Sequence, residues 1–305
     1  MFSIVIPSWN NLPYLKLCIE SLKKHSKLEH EILVHLNDGS DGSLEWVRSQ
    51  GIKYTQTTKN VGVCLSVNHL VAQARHDWVL YMNDDMVATP CWDTAFVEAV
   101  KSVGTDLALF FGTLIQPGRG GNDIIQQNFG ESPATFEEEK FLQQYQSDGR
   151  GDKEGAASQP TLVHKKWWSI VGGYSLEFSP GMSSDDDLLM KFWVAGCRNF
   201  RIVSGSRFYH FGCKSTARIK HNLGGRIFVM KWGVTQIEFH RLYLPSLRKA
   251  NGGNTESNIH NCVRASWLGK LRRVGYALRY NYPLEDIESW DSVPGRGEWS
   301  RGNTE

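Results

Sequence analysis

Three short polar stretches near the start of this 305-residue chain hold side chains suited to chemistry. They are Pro7-Ser8-Trp9-Asn10, the turn-forming run from Asn37 to Ser43, and Asn83-Asp84-Asp85. Each stretch directly follows a short apolar run. The adjacent carboxylates of Asp84 and Asp85 repel each other unless a positive group lies beside them. A divalent cation with oxygen ligands, Mg²⁺ or Mn²⁺, would supply that charge and would also suit a nucleoside diphosphate.

A second acidic cluster, Ser183-Ser184-Asp185-Asp186-Asp187, opens a predicted helix about a hundred residues later. Serine and aspartate are good N-caps, and acidic side chains are favoured at the positive end of the helix dipole. Capping accounts for one or two of these carboxylates. Three in succession exceed what a cap requires, so the surplus carboxylate is a candidate general base.

Each of these stretches also has an ordinary structural interpretation. Asn10 could cap the helix that follows it, the run from Asp38 to Ser43 could be a simple turn, and Asp84 and Asp85 could be solvated loop acids. Taken singly, these interpretations are at least as good as the functional ones. The shared position at strand ends favours function, because ligands bind beyond the carboxyl ends of open parallel sheets.

Alternating strand and helix patterns would place these residues. Apolar runs predict buried strands at residues 3–7, 31–37, 52–56, 78–83 and 107–113. Helical spacing is found at residues 14–25, 62–75, 92–103 and 185–195, with one or two more helices within 219–242. The fold class predicted is α/β, a mostly parallel, doubly wound, twisted sheet flanked by helices. The long polar segment 116–160 is either a functional lid or disordered, and we favour the lid.

Bulk properties narrow the class of protein. The formal net charge of +2 gives no indication of a nucleic-acid partner. There is no apolar run of about 18 residues, and the N-terminus resembles a first strand more than a signal peptide. Six cysteines without paired C-x-x-C spacing argue against a zinc knuckle or a disulfide scaffold. We therefore expect a cytoplasmic protein, with peripheral contact at the inner face of a membrane as a further option.

In order and spacing, the motifs resemble the GT-A fold (Rossmann-like) glycosyltransferases of family 2, which are inverting enzymes. The first two stretches are similar to the family's opening strand-end motif and its D-D-G-S-x-D-x-S/T motif, and Tyr81-Met82-Asn83-Asp84-Asp85 occupies the place of its metal-binding D-x-D. The later matches are Val171-Gly172-Gly173-Tyr174, Ser184-Asp185-Asp186-Asp187-Leu188, Tyr209-His210-Phe211-Gly212 and Lys231-Trp232-Gly233. The resemblance implies a catalytic domain over residues 1–235, divided at about 115 into a nucleotide-binding and an acceptor-side half. Residues 236–305 would form a helical C-terminal extension and tail.

Residue by residue, the resemblance implies roles within one donor site. Asp38 would hydrogen-bond the base, with uracil favoured. The other residues expected around the donor are Pro7, Ser8, Trp9, Asn10, Lys59, Asn60, Asn68, Asn83 and Asp84. Asp85 would bind the metal, and His210 either completes the metal shell or is a packed structural residue. Asp185 would be the catalytic base, with Asp186 as its substitute.

Several positions depart from the family pattern. Asn37 and Asn83 stand where aspartate is frequent, and Ser184 stands where glutamate is frequent. Asn83 can coordinate a metal through its carbonyl but brings no charge, so metal affinity is expected to be lower. Val67-Asn68 replaces a frequent Arg-Asn pair, which removes a phosphate contact that Lys59 or Lys231 could restore.

The function implied is metal-assisted, in-line transfer of a sugar from a nucleoside-diphosphate donor to a hydroxyl of a glycan or glycolipid, with inversion. Two alternatives remain open. One is a non-catalytic sugar-nucleotide-binding module, which the asparagine replacements keep in play. The other is a sugar-nucleotidyltransferase, although residues 8–13 do not resemble the glycine-rich phosphate loop that such an enzyme needs.

Residues 261–280 combine apolar side chains with five lysines and arginines. A basic amphipathic helix of this kind could lie on an anionic membrane surface, where a lipid-linked acceptor would be found. The alternative is a helix whose apolar face packs on the catalytic domain and whose basic face is solvated. We favour the packed helix, because amphipathic helices commonly direct their apolar face to the core.

Overall fold

A computed structural model describes residues 1–118, 124–146, 149, 151–212, 223–244 and 255–280. Within 255–280, side chains are described for 267–279. These residues form one ten-stranded sheet with α-helices packed on it and a long C-terminal helix. The predicted α/β class with a helical C-terminal part is therefore confirmed. The tail beyond 280 and part of the predicted 219–242 helical region lie outside the described residues.

The first half of the sheet is parallel, with strand order β3-β2-β1-β4. Its strands and connecting helices are β1 (Ser3–Trp9), α1 (Leu12–His25), β2 (Glu31–Asn37), α2 (Ser43–Ser49), β3 (Lys53–Thr57), α3 (Gly62–Gln73) and β4 (Trp78–Tyr81). Along β1, Val5 packs on one face of the sheet, whereas Ile4 and Ile6 pack on the other. Because helices cover both faces, β1, β2 and β4 are mostly apolar, as predicted. A strand near 52–56 is confirmed, but the prediction that it is buried is wrong, because β3 lies at the edge of the sheet and is polar and partly exposed. The helix α2 was not predicted.

Beyond β4 the sheet is mixed. The remaining elements are β5 (Met86–Ala88), α4 (Trp92–Val103), β6 (Ala108–Gln116), β7 (Ile125–Gln126), α5 (Glu138–Gln144), β8 (Lys153–Glu154), β9 (Thr161–His164), α6 (Lys165–Val171), α7 (Ser184–Val194), β10 (Asn199–His210), α8 (Gly224–Trp232), α9 (Gln236–Leu242) and α10 (Thr255–Tyr280). Strand β9 lies between β4 and β6 and is antiparallel to both. Strand β10 is parallel to β6 and carries β5 antiparallel on its other side. Strand β9 is antiparallel because the chain leaves β6 and enters β9 at the same edge of the sheet, after segment 116–160.

Two apolar cores cover the two faces of the sheet. One contains buried residues of α1, α2 and α4, and the other contains those of α3, α6, α7, α8 and α9. The division of the chain at about residues 115 and 235 stays a prediction. No helix in the described residues has both the length and the apolar character needed to span a bilayer.

The described part of segment 116–160 packs into a third, aromatic core. Phe129 and Phe141 are buried, with ring centroids 5.4 Å apart, and Phe129 lies 5.8 Å from Tyr209 of β10. Phe136 packs against Tyr209 and against Phe211. This part of the segment is therefore attached to the sheet by its own core.

Candidate active site

The carboxyl ends of β1, β2 and β4 open into a cleft of about 420 Å³. Nine of the predicted site residues line it, namely Pro7, Ser8, Trp9, Asn60, Asn83, Asp84, Asp85, Asp185 and His210. Its other walls come from Asn37, Gly62, Val63, Tyr81, Gln159, Pro180, Gly181, Met182 and Gly212. Five predicted residues do not line it, namely Asn10, Asp38, Lys59, Asn68 and Asp186. Among the described residues of segment 116–160, only Gln159 reaches the cleft, so the structure gives the lid interpretation little support.

Asp84 is fixed at the base of the cleft by the loop after β1. Its Oδ2 accepts a 2.6 Å hydrogen bond from the Ser8 hydroxyl, and its Oδ1 accepts one of 3.1 Å from the Asn11 amide. All three residues are buried. Two good donors stabilise the ionised form of a buried carboxylate, so Asp84 joins the end of β4 to the end of β1.

The second predicted stretch forms a hydrogen-bonded corner beside the cleft. Asp38 and Asn10 both have positive φ angles, of 73° and 46°. The Asn10 side chain donates to Asp38 Oδ2 at 2.9 Å and accepts from the Gly39 amide at 2.9 Å. Asparagine and aspartate tolerate this backbone region better than other residues with side chains. Asn37, one residue earlier, is the member of this stretch that lines the cleft.

Asp85, in the loop between β4 and β5, and His210, at the end of β10, lie side by side in the cleft. Asp85 is buried, and its Oδ1 lies 3.4 Å from His210 Nε2. The other ring nitrogen of His210 lies 3.3 Å from Gln116 Oε1. When Nδ1–H donates to that oxygen, the neutral ring directs its Nε2 lone pair toward the Asp85 carboxylate. Two electron-rich atoms at this distance need a proton or a cation between them.

Asp185, at the start of α7, also lines the cleft and is held by two donors on one oxygen. Its Oδ1 accepts from Gln159 Nε2 at 2.6 Å and from the Tyr174 hydroxyl at 2.7 Å. In the described part of the chain, no hydrogen bond reaches Oδ2. Burial raises the pKa of Asp185 to about 6; the neighbouring Asp186 charge also raises it, and the two hydrogen bonds lower it. Asp185 therefore combines a fixed orientation with a pKa close to neutrality, as a general base requires.

Helix geometry separates the three successive acids at the start of α7. Consecutive residues of an α-helix point about 100° apart, so the three carboxylates face three environments. Asp185 faces the cleft, while Asp186 accepts hydrogen bonds from His240 and Gln236 of α9. Asp187 is fully buried. One of the three acids therefore has a structural role in the core, besides any role in capping the helix.

Asp187 and Lys231 form an ion pair that fixes α7 to α8, with the carboxylate fully buried and the lysine partly exposed. Lys231 Nζ lies 2.9 Å from Asp187 Oδ1, and it also contacts Glu177 and Ser175. Lys231 does not line the cleft, and Asp187 and the exposed Glu177 hold its ammonium group, so the structure does not support the suggestion that it replaces a missing phosphate contact. Lys59 is exposed and does not reach the cleft lining either.

Asn68 has a positioning role that the sequence did not predict. Its amide donates to the Tyr174 carbonyl at 2.7 Å and accepts from the Tyr174 amide at 2.9 Å. Gly173 makes this approach possible: its φ is +57°, and a Cβ there would lie 2.4 Å from Asn68 Oδ1. Because both polar atoms of the side chain are used, Asn68 fixes the Gly173–Tyr174 turn, and Tyr174 in turn holds Asp185.

The sequence profile of the family described as Glycosyl transferase family 2 matches residues 3–156. The chain belongs to this family. It is therefore an enzyme, a nucleotide-sugar-dependent glycosyltransferase. The matched residues include the β1, β2 and β4 strand ends that build the cleft. No curated protein sequence matches the chain.

Solved glycosyltransferase structures share the fold. The structure of S. aureus TarS 1-349 superposes with a TM-score of 0.54 at 16% identity, covering 96% of this chain and 89% of that one. The same TarS fragment in complex with UDP-GlcNAc gives 0.54 at 15% identity, covering 96% and 79%. GalNAc-T7 with UDP, GalNAc and Mn²⁺ gives 0.57 at 13% identity, covering 93% and 58%. At these identities the likeness establishes the GT-A fold.

The cleft of this family 2 enzyme carries excess negative charge. Three carboxylates line it, and the described lining residues include neither lysine nor arginine. The described residues contain no group of three or more His, Cys, Asp or Glu side chains suited to a metal. The Asp85–His210 pair nevertheless fits a divalent cation, because it offers a carboxylate oxygen and an imidazole nitrogen that face each other. Diphosphate and water oxygens would fill the remaining positions, as is common for Mg²⁺ and Mn²⁺.

Three contributors to the site were missed from the sequence. Gln159 and Gln116 lie in or beside the polar segment 116–160, where no periodicity singles out one glutamine. Tyr174 was noted only as part of a motif. The sequence gives only a weak indication of Gln159. Gln159-Pro160 comes just before the apolar run of β9, and that strand was itself not predicted.

Proposed function

We propose that this enzyme transfers a sugar from a UDP-sugar to a hydroxyl group of a glycan or glycolipid, with inversion at the anomeric carbon. The observation that carries the proposal is that two different groups line one cleft. One is Asp85 with His210, and the other is Asp185, whose Oδ2 accepts no hydrogen bond from the described residues. A transfer reaction of this kind needs one group that stabilises the leaving diphosphate and another that takes the proton of the attacking hydroxyl.

The donor would occupy the side of the cleft formed by the β1, β2 and β4 ends. Ser8, Asn37 and Asn60 offer hydroxyl and amide groups there, and Trp9 offers an aromatic surface. Asp38 remains our candidate for recognition of the uracil N3–H, from the corner that it forms with Asn10. Complexes of TarS with UDP-GlcNAc and of GalNAc-T7 with UDP support a UDP donor on this fold.

In the reaction, Asp185 accepts the proton of the acceptor hydroxyl through Oδ2. The hydroxyl oxygen forms a bond to the anomeric carbon as the bond from that carbon to the diphosphate oxygen breaks. Proton transfer to a positioned base contributes about 10²–10⁴-fold to such a rate. Tyr174 and Gln159 hold the carboxylate in one orientation, which supplies part of the entropic advantage of a prearranged site.

Asp85 and His210 would hold the divalent cation, Mn²⁺ or Mg²⁺. When bound, the cation neutralises charge that develops on the leaving diphosphate. The absence of lysine and arginine from the described cleft lining supports this proposal, since those side chains would otherwise balance the charge of the leaving diphosphate. Asn83 and Asp84 line the same wall and would face the ribose or the outer part of the metal shell.

The test is donor turnover by the full chain across UDP-, GDP- and dTDP-sugars, with Mn²⁺, with Mg²⁺ and with EDTA. We expect one UDP-sugar to be hydrolysed only when metal is present. Asp185→Asn should bind that donor normally and lose at least 10²-fold in turnover. Asp85→Ala should lose metal-dependent donor binding. Asp106→Asn is the matched control, because it removes a carboxylate outside the cleft and leaves an oxygen to accept from Trp167 Nε1.

Three results would contradict the proposal. Turnover by Asp185→Asn at the wild-type rate would show that Asp185 is not the base. Equal turnover in EDTA would show that the reaction does not need a divalent cation. Tight donor binding without transfer to any acceptor or to water would favour the non-catalytic binding module.

A further inference from the structure

The C-terminal helix α10 packs on the rest of the enzyme through a face other than its apolar one. Gly269, Arg273 and Ala277, spaced four residues apart, are the buried residues of its described part. A Cβ at Gly269 would lie 1.3 Å from the Gly233 carbonyl oxygen, so no side chain fits there. Arg273 donates to the carbonyl of Lys231 at 2.9 Å. The helix thus docks through its small residues and one arginine, and our preference for a helix packed by its apolar face was wrong.

The apolar side chains of α10 point into solvent as a consequence. Trp267, Leu271, Val274 and Leu278 occur at intervals of four, three and four residues, which puts them on one side of a helix. Their exposed fractions are 64%, 52%, 42% and 70%. We call these four residues the apolar stripe. A stripe of this size on an exposed helix marks an interaction surface rather than chance exposure of single residues.

We propose that the apolar stripe binds the surface of an anionic lipid membrane. The positive charge of the helix favours an anionic membrane over other partners. Residues 267–279 contain four lysines and arginines and no acidic residue. Arg273 is buried and Arg272 pairs with Glu238, so the charge beside the stripe comes from the other two. Lys270 and Arg279 are exposed and fall on the two flanks of the stripe, where long basic side chains can reach lipid headgroups while the apolar residues enter the acyl boundary.

The composition of the apolar stripe also favours a membrane surface. Tryptophan is enriched at the depth of lipid headgroups, and Trp267 is the most N-terminal member of the stripe. A second copy of this chain is a poorer partner, because stripes that meet face to face would bring the flanking basic residues of both copies together. Lipid binding at α10 does not depend on the proposed sugar-transfer reaction, so each can fail without the other.

Sedimentation of the full chain with vesicles tests the proposal without donor or acceptor. One set of vesicles is pure phosphatidylcholine, and the other contains about one third phosphatidylglycerol. We expect binding to the anionic vesicles and at least tenfold weaker binding to the neutral ones. Leu271→Ala combined with Leu278→Ala should weaken anionic binding at least tenfold, by loss of buried apolar area. Lys270→Gln and Arg279→Gln should each weaken it about fivefold.

The matched control is Ile170→Ala on α6, which removes an equally exposed aliphatic side chain (58%) outside the stripe. It should bind anionic vesicles like the wild type, and circular dichroism should show that every variant keeps its helix content. The proposal is overturned if the full chain does not bind anionic vesicles. It is equally overturned if the stripe variants bind as tightly as Ile170→Ala, or if they abolish self-association of the chain and leave vesicle binding unchanged.

Discussion

The hydroxyl of Tyr174 sets the pH dependence of the proposed base. It donates at 2.7 Å to Asp185 Oδ1, and this hydrogen bond lowers a pKa that burial raises to about 6. A hydrogen bond to a charged acceptor is worth about 1.5–3 kcal/mol, and one pKa unit corresponds to about 1.4 kcal/mol. Gln159 remains on the same oxygen in Tyr174→Phe, so part of the effect is compensated. We expect the pKa of Asp185 to rise by about one unit.

The assay is donor hydrolysis, or transfer once an acceptor is found, measured as kcat/KM from pH 5 to 9. Activity requires the ionised carboxylate, so it rises with pH through the pKa of the base in the free enzyme. In Tyr174→Phe this rise should move about one unit higher, which lowers activity about fivefold at pH 6 and changes it little above pH 8.

Tyr209→Phe is the matched control, since Tyr209 is a buried, hydrogen-bonded tyrosine of the separate aromatic core. Its profile should coincide with that of the wild type. A folded Tyr174→Phe whose acid limb stays in place, or moves to lower pH, would refute the assignment of Asp185 as the base held by Tyr174.

Three further predictions concern stability. Asp185→Asn keeps an acceptor for Tyr174 and removes a buried charge whose pKa is raised, so the variant should gain about 1–3 kcal/mol of unfolding free energy at pH 7 in urea titrations. A variant less stable than wild type would contradict the cost of that charge. Asn68→Ala removes both hydrogen bonds to the Tyr174 backbone, so the free energy of unfolding should fall by about 2–3 kcal/mol and kcat should fall as well. Unchanged stability and kcat would show that the Gly173–Tyr174 turn does not depend on the Asn68 side chain. His35 is buried, and burial followed by the nearby His69 lowers its pKa to about 4. Between pH 6.5 and 4 the unfolded chain therefore binds a proton that the folded chain does not, and stability should fall by up to about 3 kcal/mol as pH falls through this range, a slope that His35→Gln should reduce.

Local sequence determined the first half of the fold and the location of the cleft. Strands β1, β2 and β4 were predicted from continuous apolar runs, because a strand buried on both faces has few polar positions. Their polar ends could be assigned to one edge, since the strands are parallel. For this reason the expected placement of Ser8, Asp84 and Asp85 in one cleft agrees with the structure.

Sequence periodicity could not determine contacts between distant segments. Strand β9 enters between β4 and β6, and it brings Gln159 onto Asp185. His210 meets Asp85 because β10 pairs with β5 immediately after the acidic loop. These neighbours are set by strand order, which depends on the packing of the whole sheet.

The tertiary structure also decided which side of each helix faces which neighbour. In α7, a rotation of about 100° per residue sends Asp185 to the cleft and Asp187 into the core, although the two look alike in sequence. In α10, Gly269 and Ala277 permit an approach to the enzyme that the bulkier side chains of the apolar stripe would block. The sequence determined that α10 is amphipathic, but only packing against α8 and α9 decided that its apolar side faces away.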